Sequence, residues 1–346
     1  MGGDLCRWRS VMKRTLAFIQ DAPSSFVLVS IGALYVAFIA RNPAFIKLPH
    51  QFAILRSGIV IGIMALGLLL VLISGGIDVS FTAVAVLSMY STVQILNGVN
   101  YGGPIVVAFL IAAAIGGLLG LLNGALISLL RLPTLIVTLG TLTMFRGFML
   151  FFIGTDRIRE LPAQMKPFAR STILSVATPN GGKASLHVGF LLLVGLALAV
   201  AAVLRWTPFG RAIYAIGGNR QAAERAGLPI RRVELGVYVL AGAIAGVAGV
   251  VDAALIRAAD PFTIVGTELD VLAAVVIGGA AITGGRGGVL GTFLGVILIA
   301  LVDSSLVLAG IPTEWQRLFV GLFILAGVML PALRTWNTRT DPRTIE

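Results

Sequence analysis

The 346-residue sequence contains few of the residues that usually carry enzyme chemistry. It has one cysteine, Cys6, and two histidines, His50 and His187. These counts exclude a disulfide framework or a cysteine-based metal site within one chain. They also leave little material for a histidine metal site or a proton relay. Charged residues make up only 12% of the chain, against about 25% in soluble domains. A soluble enzyme and a membrane-embedded enzyme are therefore both disfavoured, and no cofactor is expected.

Apolar residues and glycine make up most of the sequence. Hydrophobic residues account for 58% of the sequence, glycine for 42 residues, and the mean hydropathy is +0.99. This composition is typical of a membrane protein, in which glycine permits close contact between helices. The net charge of +11 is better explained by membrane topology than by nucleic acid, because Lys and Arg concentrate in cytoplasmic loops. We predict lipid as a partner and no nucleic acid.

Ten apolar segments predict an all-α, polytopic membrane protein with about ten transmembrane helices. The first is short and is interpreted as a retained anchor, because no cleavage site follows it. The eighth is shorter still, so a re-entrant or partly unwound element is the alternative there. The segments are 25–40, 52–73, 79–97, 104–130, 132–153, 187–204, 233–256, 271–283, 288–310 and 317–333.

The distribution of Lys and Arg predicts that both termini are cytoplasmic. If the helices alternate from a cytoplasmic N-terminus, most basic residues fall on the cytoplasmic side, including the arginines of 205–232. Residues 1–346 would form a single transmembrane domain without a soluble domain. Its non-membrane parts would be a cytoplasmic N-terminal segment, an outer loop with partial order, a cytoplasmic loop and a cytoplasmic tail, at 1–24, 154–186, 205–232 and 334–346.

The cytoplasmic loop 205–232 contains a predicted short helix. Asn219 is a favourable N-cap, Arg220 to Ala226 is rich in helix formers, Gly227 suits the C′ position, and Pro229 blocks continuation. A helix of this length is not stable alone in water, so it needs a surface on which to dock. The residues alone leave two interpretations open, a docking element and a solvated basic linker.

Five stretches resemble, in order, the ribose-type permeases of bacterial ABC sugar importers. The resemblance covers about residues 50–335. The stretches are "SGGIDVSFTAVAVLS", "RLPTLIVTLGTLTMFRG", "TPFGRAIYAIGGNRQAAERAGLPIRRV", "VVIGGAAITGGRGGVLGTFLG" and "GIPTEWQRLFVGLFILAGVML".

The resemblance implies a non-catalytic transport subunit in the bacterial inner membrane. Its partners would be separate ABC ATPase subunits, a second permease subunit, identical or related, and a periplasmic sugar-binding protein. That binding protein would dock near 154–186, 257–270 and 311–316. The segment 219–227 would be a coupling helix seated in the ATPase. The expected coupling residues are Gly210, Arg211, Gly218, Asn219, Ala222, Ala223 and Gly227.

The absence of a phosphate-binding loop agrees with an external ATPase. The sequence has no G-x-x-x-x-G-K-[ST], and "NGGKAS" lacks its spacing. A gradient-driven sugar transporter is the alternative, and it usually needs ionisable groups deep in the bundle. An ABC permease for branched-chain amino acids is the nearest relative to distinguish.

Two glycine-rich breaks are predicted to lie at the cytoplasmic side as gate or helix-cap elements. Asp78 is interpreted as the N-cap of the third helix, with a gate or ATPase contact as the alternative. "TGGRGG" at 283–288 predicts a tight interhelical turn rather than a nucleotide loop. The candidate residues are Gly75, Gly76, Asp78, Gly284, Gly285 and Arg286.

Three charged residues within the apolar segments are candidates for the transport pathway or for intramembrane pairing. They are Arg146, Asp252 and Asp303. Asp252 and Asp303 fit pairing with Arg257 or Arg56, or contact with interfacial water, as well as a proton relay. Arg146 fits snorkelling or pairing with Asp303. The hydroxyls of the third and fifth segments fit helix packing as well as a polar pathway.

Overall fold

The computed structural model describes residues 23–177 and 183–308, together with 315, 318–322 and 325. Several predictions lie wholly or mostly outside these residues. They concern the N-terminal segment, the tenth apolar segment and the C-terminal tail. The prediction that both termini are cytoplasmic therefore also lies outside the described residues.

Most of the described chain is helical. The elements are α1 (Pro23–Arg41), α2 (Leu48–Ile73), α3 (Phe81–Gly98), α4 (Val106–Leu130), α5 (Thr134–Phe148), α6 (Met165–Arg170), β1 (Thr172–Ala177), β2 (Lys183–His187), α7 (Gly189–Trp206), α8 (Pro208–Gly218), α9 (Arg220–Arg225), α10 (Ile230–Ile256), α11 (Glu268–Ile277) and α12 (Val289–Leu308). A 3₁₀ turn precedes α2 and a π-helical turn, Met149–Ile153, extends α5.

The helices have the lengths of a multi-pass membrane protein. Within the described residues, six are long and apolar enough to cross a membrane: Leu48–Ile73, Val106–Leu130, Thr134–Ile153, Gly189–Trp206, Ile230–Ile256 and Val289–Leu306. The first predicted segment is the shorter apolar helix Phe26–Arg41. The eighth is α11, with only 10 residues, as the partly unwound alternative anticipates. Ten full spans remain a prediction.

The prediction of an all-α chain is wrong in the outer loop. Strands β1 and β2 pair antiparallel, from Thr172 opposite His187 to Ala177 opposite Lys183. The loop is further joined to the segment after α10 by a bridge between Ile158 and Ala259. This stretch lacks the continuous apolar run of a spanning helix, and strand pairing supplies the hydrogen bonds that its backbone needs.

Glycine brings helices α4 and α10 into backbone contact. A Cβ atom at Gly116 would lie 2.2 Å from the carbonyl oxygen of Gly242, and one at Gly120 would lie 2.1 Å from that of Tyr238. Any side chain at these positions would force the helices apart. These two glycines therefore serve helix packing, which is the role that the composition predicts.

The bundle has two distinct ends. One carries the turns at 74–80 and 278–288 and the segment from α8 to α9; we call it the glycine end. The opposite end carries the β1–β2 hairpin and the segment 257–267; we call it the hairpin end. Helix α2 connects them, and its residues Ala65 to Ile73, on the glycine side, are all buried.

Candidate coupling and transport sites

The predicted short helix exists and is capped as the sequence indicates. The Oδ1 atom of Asn219 accepts a hydrogen bond from the backbone N–H of Ala222 at 2.9 Å. At the other end Gly227 has φ +77°, and the N–H of Leu228 bonds to the carbonyl of Ala223 at 3.1 Å. This pattern is a glycine-terminated helix end. The boundary prediction is confirmed to within one residue.

The two alanines predicted to face a partner point in different directions. Ala222 is exposed, whereas Ala223 is only 4% exposed and belongs to the main hydrophobic core. Adjacent residues on a helix lie about 100° apart, so a six-residue helix docked on the bundle cannot present both. Ala223 therefore anchors α9 to its own chain. Only Ala222 remains available to a partner.

An ion pair that the sequence analysis missed fixes α9 to α10. Both terminal nitrogens of Arg220 donate to the carboxylate of Glu234, the second at 3.3 Å. Arg220 is half exposed, but Glu234 is only 6% exposed. A two-point contact between a guanidinium and a carboxylate restrains orientation as well as distance. The pair ties the start of α9 to the first turns of a helix that crosses the whole bundle.

Three glycine motifs that are far apart in sequence meet under α8. We call this contact the glycine junction; its residues are Gly75, Gly217, Gly284 and Gly285. A Cβ at Gly217 would lie 1.8 Å from the carbonyl oxygen of Ile73, and one at Gly284 would lie 2.7 Å from the Cα of Gly75. The N–H of Gly285 bonds to the Ile73 carbonyl at 2.9 Å. The junction joins the end of α2, the end of α8 and the 283–288 turn.

The remaining predicted coupling residues divide into internal and exposed ones. Gly210 is buried, and a Cβ there would lie 2.3 Å from the carbonyl oxygen of Val203, so it allows the sharp bend from α7 to α8. Arg211 and Gly218 are exposed, and a Cβ at Gly218 would meet nothing within 4 Å. Arg286 is exposed at the same end, within the 283–288 turn.

Asp78 is buried, and its side chain stabilises the start of α3, which begins three residues later. Its Oδ1 accepts hydrogen bonds from the N–H and the hydroxyl of Ser80, both at 2.7 Å, while Asn123 donates to that same hydroxyl. The N-cap position itself is Ser80, not Asp78. Burial raises the pKa of Asp78, and the hydrogen bonds from Ser80 lower it. The carboxylate is 5% exposed, so it is not presented on the surface.

A polar cavity of about 270 Å³ lies beneath α9 at the glycine end. We call it the Arg220 cavity. Gly75 and Gly76 form one wall and the Arg220–Glu234 pair lies in another. Arg131, which has a left-handed backbone with φ +54°, also lines it. The second predicted gate glycine, Gly76, packs against Tyr238, whose hydroxyl would be 2.7 Å from an added Cβ.

A second cavity, of about 420 Å³, opens at the hairpin end between α2, α10 and the segment 257–267. We call it the Asp252 cavity. Thr263 donates a hydrogen bond to Oδ2 of Asp252 at 2.9 Å. Arg56 donates to the backbone carbonyl of Leu255 at 3.0 Å. The described partner of Asp252 is thus the hydroxyl of Thr263 rather than Arg56 or Arg257. The Asp252 carboxylate and the Arg56 guanidinium both line this cavity.

Arg146 and Asp303 lie on helices that pack against different neighbours. Arg146 is exposed on α5, which packs on α3 and α4. Asp303 is half-buried on α12, which packs on α2, α11 and α1. The suggested pairing of these two residues would join helices on different parts of the bundle. The snorkelling interpretation of Arg146 fits its exposure.

Comparison with known proteins agrees with this architecture. A model of the family described as "Branched-chain amino acid transport system / permease component" matches residues 51–328. The chain belongs to this permease family. It is a membrane transport subunit related to ABC importer permeases, as the five sequence stretches predict.

Curated relatives match over nearly the whole chain. The autoinducer 2 import system permease protein LsrC of Klebsiella pneumoniae is 34% identical over 317 residues, covering 92% of this chain and 88% of the relative. The probable ABC transporter permease protein YphD of Escherichia coli K12 is 35% identical over 317 residues, covering 92% of both. No solved structure matches the chain.

Proposed function

We propose that this chain is the membrane-spanning subunit of an ATP-driven importer for a monosaccharide or a similar small polyhydroxylated molecule. The observation that carries this proposal is α9. It is a capped helix on the surface of the glycine end, held by Arg220–Glu234 and Ala223, with Ala222 outward. A free-standing carrier has no need of such an element. A subunit driven by a separate ATPase needs one.

Charge supports a cytoplasmic location for the glycine end. Exposed arginines cluster around α8, α9 and the start of α10, at 211, 220, 225, 231 and 232. Such clusters mark cytoplasmic loops of inner-membrane proteins. The hairpin end then faces outward, where a binding protein would deliver substrate. A second permease subunit and a pair of ATPase domains would complete the assembly.

The substrate class follows from the relatives and the resemblance. The LsrC relatives are named for import of autoinducer 2, whereas the family description names branched-chain amino acids. The stretch "SGGIDVS" resembles the sugar-type members. A gradient-driven sugar carrier is the second candidate, favoured only by the carboxylate of Asp252 within a spanning helix.

The decisive experiment changes the outward face of α9. Ala222→Asp places a carboxylate on the docking face without entering the core, whereas Ala223→Asp would damage the fold and would not test docking. Ala177→Asp, also an exposed alanine but at the hairpin end, is the matched control. Cells would express each variant with the ATPase and binding protein. Membrane abundance, ATPase co-purification and uptake of labelled sugars would be measured.

We expect Ala222→Asp to keep normal abundance, to lose ATPase co-purification and to reduce uptake about tenfold or more, since a buried unpaired charge at an interface costs several kcal/mol. The control should keep normal abundance and ATPase co-purification. Its uptake is not compared, because Ala177 lies in the region where the binding protein is expected to dock. Unchanged uptake that does not require the ATPase would overturn the proposal in favour of a gradient-driven carrier. Uptake inhibited by leucine or valine but not by sugars would overturn the substrate class alone.

A further inference from the structure

We infer that the Arg220 cavity binds the phosphate headgroup of an anionic phospholipid, whose acyl chains lie on the adjoining apolar surfaces of α4 and α5. The inference does not depend on which molecule the chain transports. It is carried by a polar cavity at the ends of two spanning helices, lined by Arg131 and Arg231 and by a buried serine hydroxyl.

The cavity lies at the level where membrane spans end. Arg131 directly follows Leu130, the last residue of the apolar helix α4, and Arg231 is the second residue of α10. Both arginines are exposed, and both line the cavity. Basic pockets between transmembrane helices on the cytoplasmic side are typical binding sites for the headgroups of anionic lipids. The position of the two arginines therefore fits a lipid headgroup.

The charged residues of the lining favour a ligand with one negative charge. Three arginines and two glutamates line the cavity, at 131, 220, 231, 224 and 234, which gives a net charge of +1. Arg220 is paired with Glu234. In the part of the chain that the structure describes, neither Arg131 nor Arg231 forms an ion pair. These two guanidiniums and the carboxylate of Glu224 leave one positive charge, which a phosphodiester neutralises and a zwitterionic headgroup does not.

A buried hydroxyl adds a donor for phosphate. Ser128 lines the cavity and is only 1% exposed, and among the described residues its Oγ atom has no hydrogen-bond partner. A buried polar group without a partner is costly. A serine O–H can donate to a phosphate oxygen, and guanidinium groups bind phosphate through paired N–H groups. The donors of this lining therefore suit a phosphate group.

The size of the cavity suits a headgroup rather than a whole lipid. Its volume is about 270 Å³, slightly below the range of about 300–1,000 Å³ found for small-molecule sites. Ile127, Ser128 and Tyr238 form buried parts of the lining, whereas Arg131 and Leu132 are exposed parts. The exposed residues mark the mouth, so the acyl chains of a bound lipid would remain outside it.

Apolar surface adjoins this mouth. Exposed apolar side chains lie in the last turn of α4 and the first turn of α5, on either side of Arg131 and Leu132; they are Leu129, Leu130, Leu135 and Ile136. Only 33% of the apolar window of α4 and 28% of that of the span containing α5 are buried within the chain, against 78% for α2. These two helices therefore offer a surface for acyl chains directly beside the arginines.

A site-specific quenching experiment tests this binding in a bilayer. The full chain would carry Cys6→Ser, to remove the native cysteine, and either Leu130→Cys beside Arg131 or Leu198→Cys on an exposed face of α7. Each new cysteine would be labelled with bimane. The protein would be reconstituted into phosphatidylcholine bilayers with a small fraction of acyl-brominated phosphatidylglycerol, phosphatidylethanolamine or phosphatidylcholine. Quenching would be measured in chloride buffer and in phosphate buffer of equal ionic strength.

We expect brominated phosphatidylglycerol to quench the fluorophore at Leu130→Cys about twice as strongly as the same fraction of brominated phosphatidylcholine, because the arginines enrich the anionic lipid there. Phosphatidylethanolamine should behave like phosphatidylcholine. At Leu198→Cys the three lipids should quench equally. Phosphate buffer should not change these results.

Paired arginine variants separate the cavity from the general positive charge of this end. Arg131→Gln with Arg231→Gln should remove the excess quenching by phosphatidylglycerol. Arg225→Gln with Arg232→Gln removes the same charge from two exposed arginines outside the lining, and should keep the excess. Recovery of each variant in the bilayer fraction would confirm that it is folded and inserted.

Each contrary outcome overturns a stated part of the inference. Equal quenching by all three lipids at Leu130→Cys would show that no lipid is selected there. Equal loss of the excess in both arginine pairs would show diffuse attraction to the basic segments instead of a cavity site. Equal enrichment of phosphatidylethanolamine and phosphatidylglycerol would contradict the charge argument. Loss of the excess in phosphate buffer but not in chloride would mean that free phosphate, not a lipid, occupies the cavity.

Discussion

The two ends of the bundle are built in opposite ways. At the glycine end, helix α9 lies within one continuous stretch, 205–232, and its caps can be identified from the sequence. At the hairpin end, the Asp252 cavity is assembled from α2, the last turns of α10 and the segment that follows it. The first is a local structure that needs a surface, and the second is a surface that exists only once the helices pack. The difference shows why α9 was predictable and the Asp252 cavity was not.

The ends also differ in how tightly they are packed. At the glycine junction, backbone meets backbone with no room for a methyl group. At the hairpin end, polar side chains line an open space. Tight packing transmits displacement because well-packed interiors have low compressibility.

The largest effect is expected from Gly217→Ala. The new Cβ would lie 1.8 Å from the Ile73 carbonyl oxygen and 2.6 Å from the Gly285 nitrogen. Because both neighbours are backbone, the junction must open, and we expect a loss of about 3 kcal/mol of stability. Thermal unfolding of the detergent-purified chain and its membrane abundance would measure this. Gly218→Ala is the matched control, since a Cβ there meets nothing within 4 Å. Equal behaviour of the two variants would show that the junction is not tightly packed.

Arg220→Ala should have a smaller but specific effect. It leaves the 6%-exposed carboxylate of Glu234 without its guanidinium, which should cost about 2 kcal/mol, discounted because Arg220 itself is half exposed. Adding Glu234→Gln should recover part of the stability, because no buried charge then remains. Arg225→Ala, an exposed arginine on the same helix, should change stability little. Uptake would be measured for the same variants. It would show whether transport falls by more than the loss of stability explains. No difference between Arg220→Ala and Arg225→Ala would mean that the ion pair does not hold α9.

Thr82→Val tests the contact between the start of α3 and the start of α11. It removes the 2.6 Å hydrogen bond to Glu268 while keeping the shape of the side chain, and the expected cost is about 1 kcal/mol. Thr143→Val is the control, because that exposed hydroxyl bonds only to the Leu139 carbonyl of its own helix. Thermal unfolding of the purified variants would be compared. If both variants unfold alike, the Thr82–Glu268 contact does not contribute to stability.

Some residue roles could be predicted from the sequence and others could not. Asn219 and Gly227 were assigned correctly because caps depend on the nearest few residues. Ala222 and Ala223 were given one role, although the structure separates them, because the face of a short helix depends on what it docks against. The Arg220–Glu234 pair was missed because its partners are 14 positions apart in different helices. The available signal was an acidic residue, Glu234, at the start of the apolar segment 233–256.

The sequence by itself determined the protein class, most helix positions, the capped short helix α9 and the family, because hydrophobic runs, caps and motifs are local properties of the chain. Tertiary structure alone decided that three glycine motifs form one junction, that Glu234 anchors Arg220, that the outer loop contains a hairpin and that Asp252 shares a cavity with Arg56. Each of these depends on distances between residues remote in the chain. Such distances are fixed only when the helices pack in one arrangement, since a short-range pattern specifies which face is apolar but not which neighbour covers it.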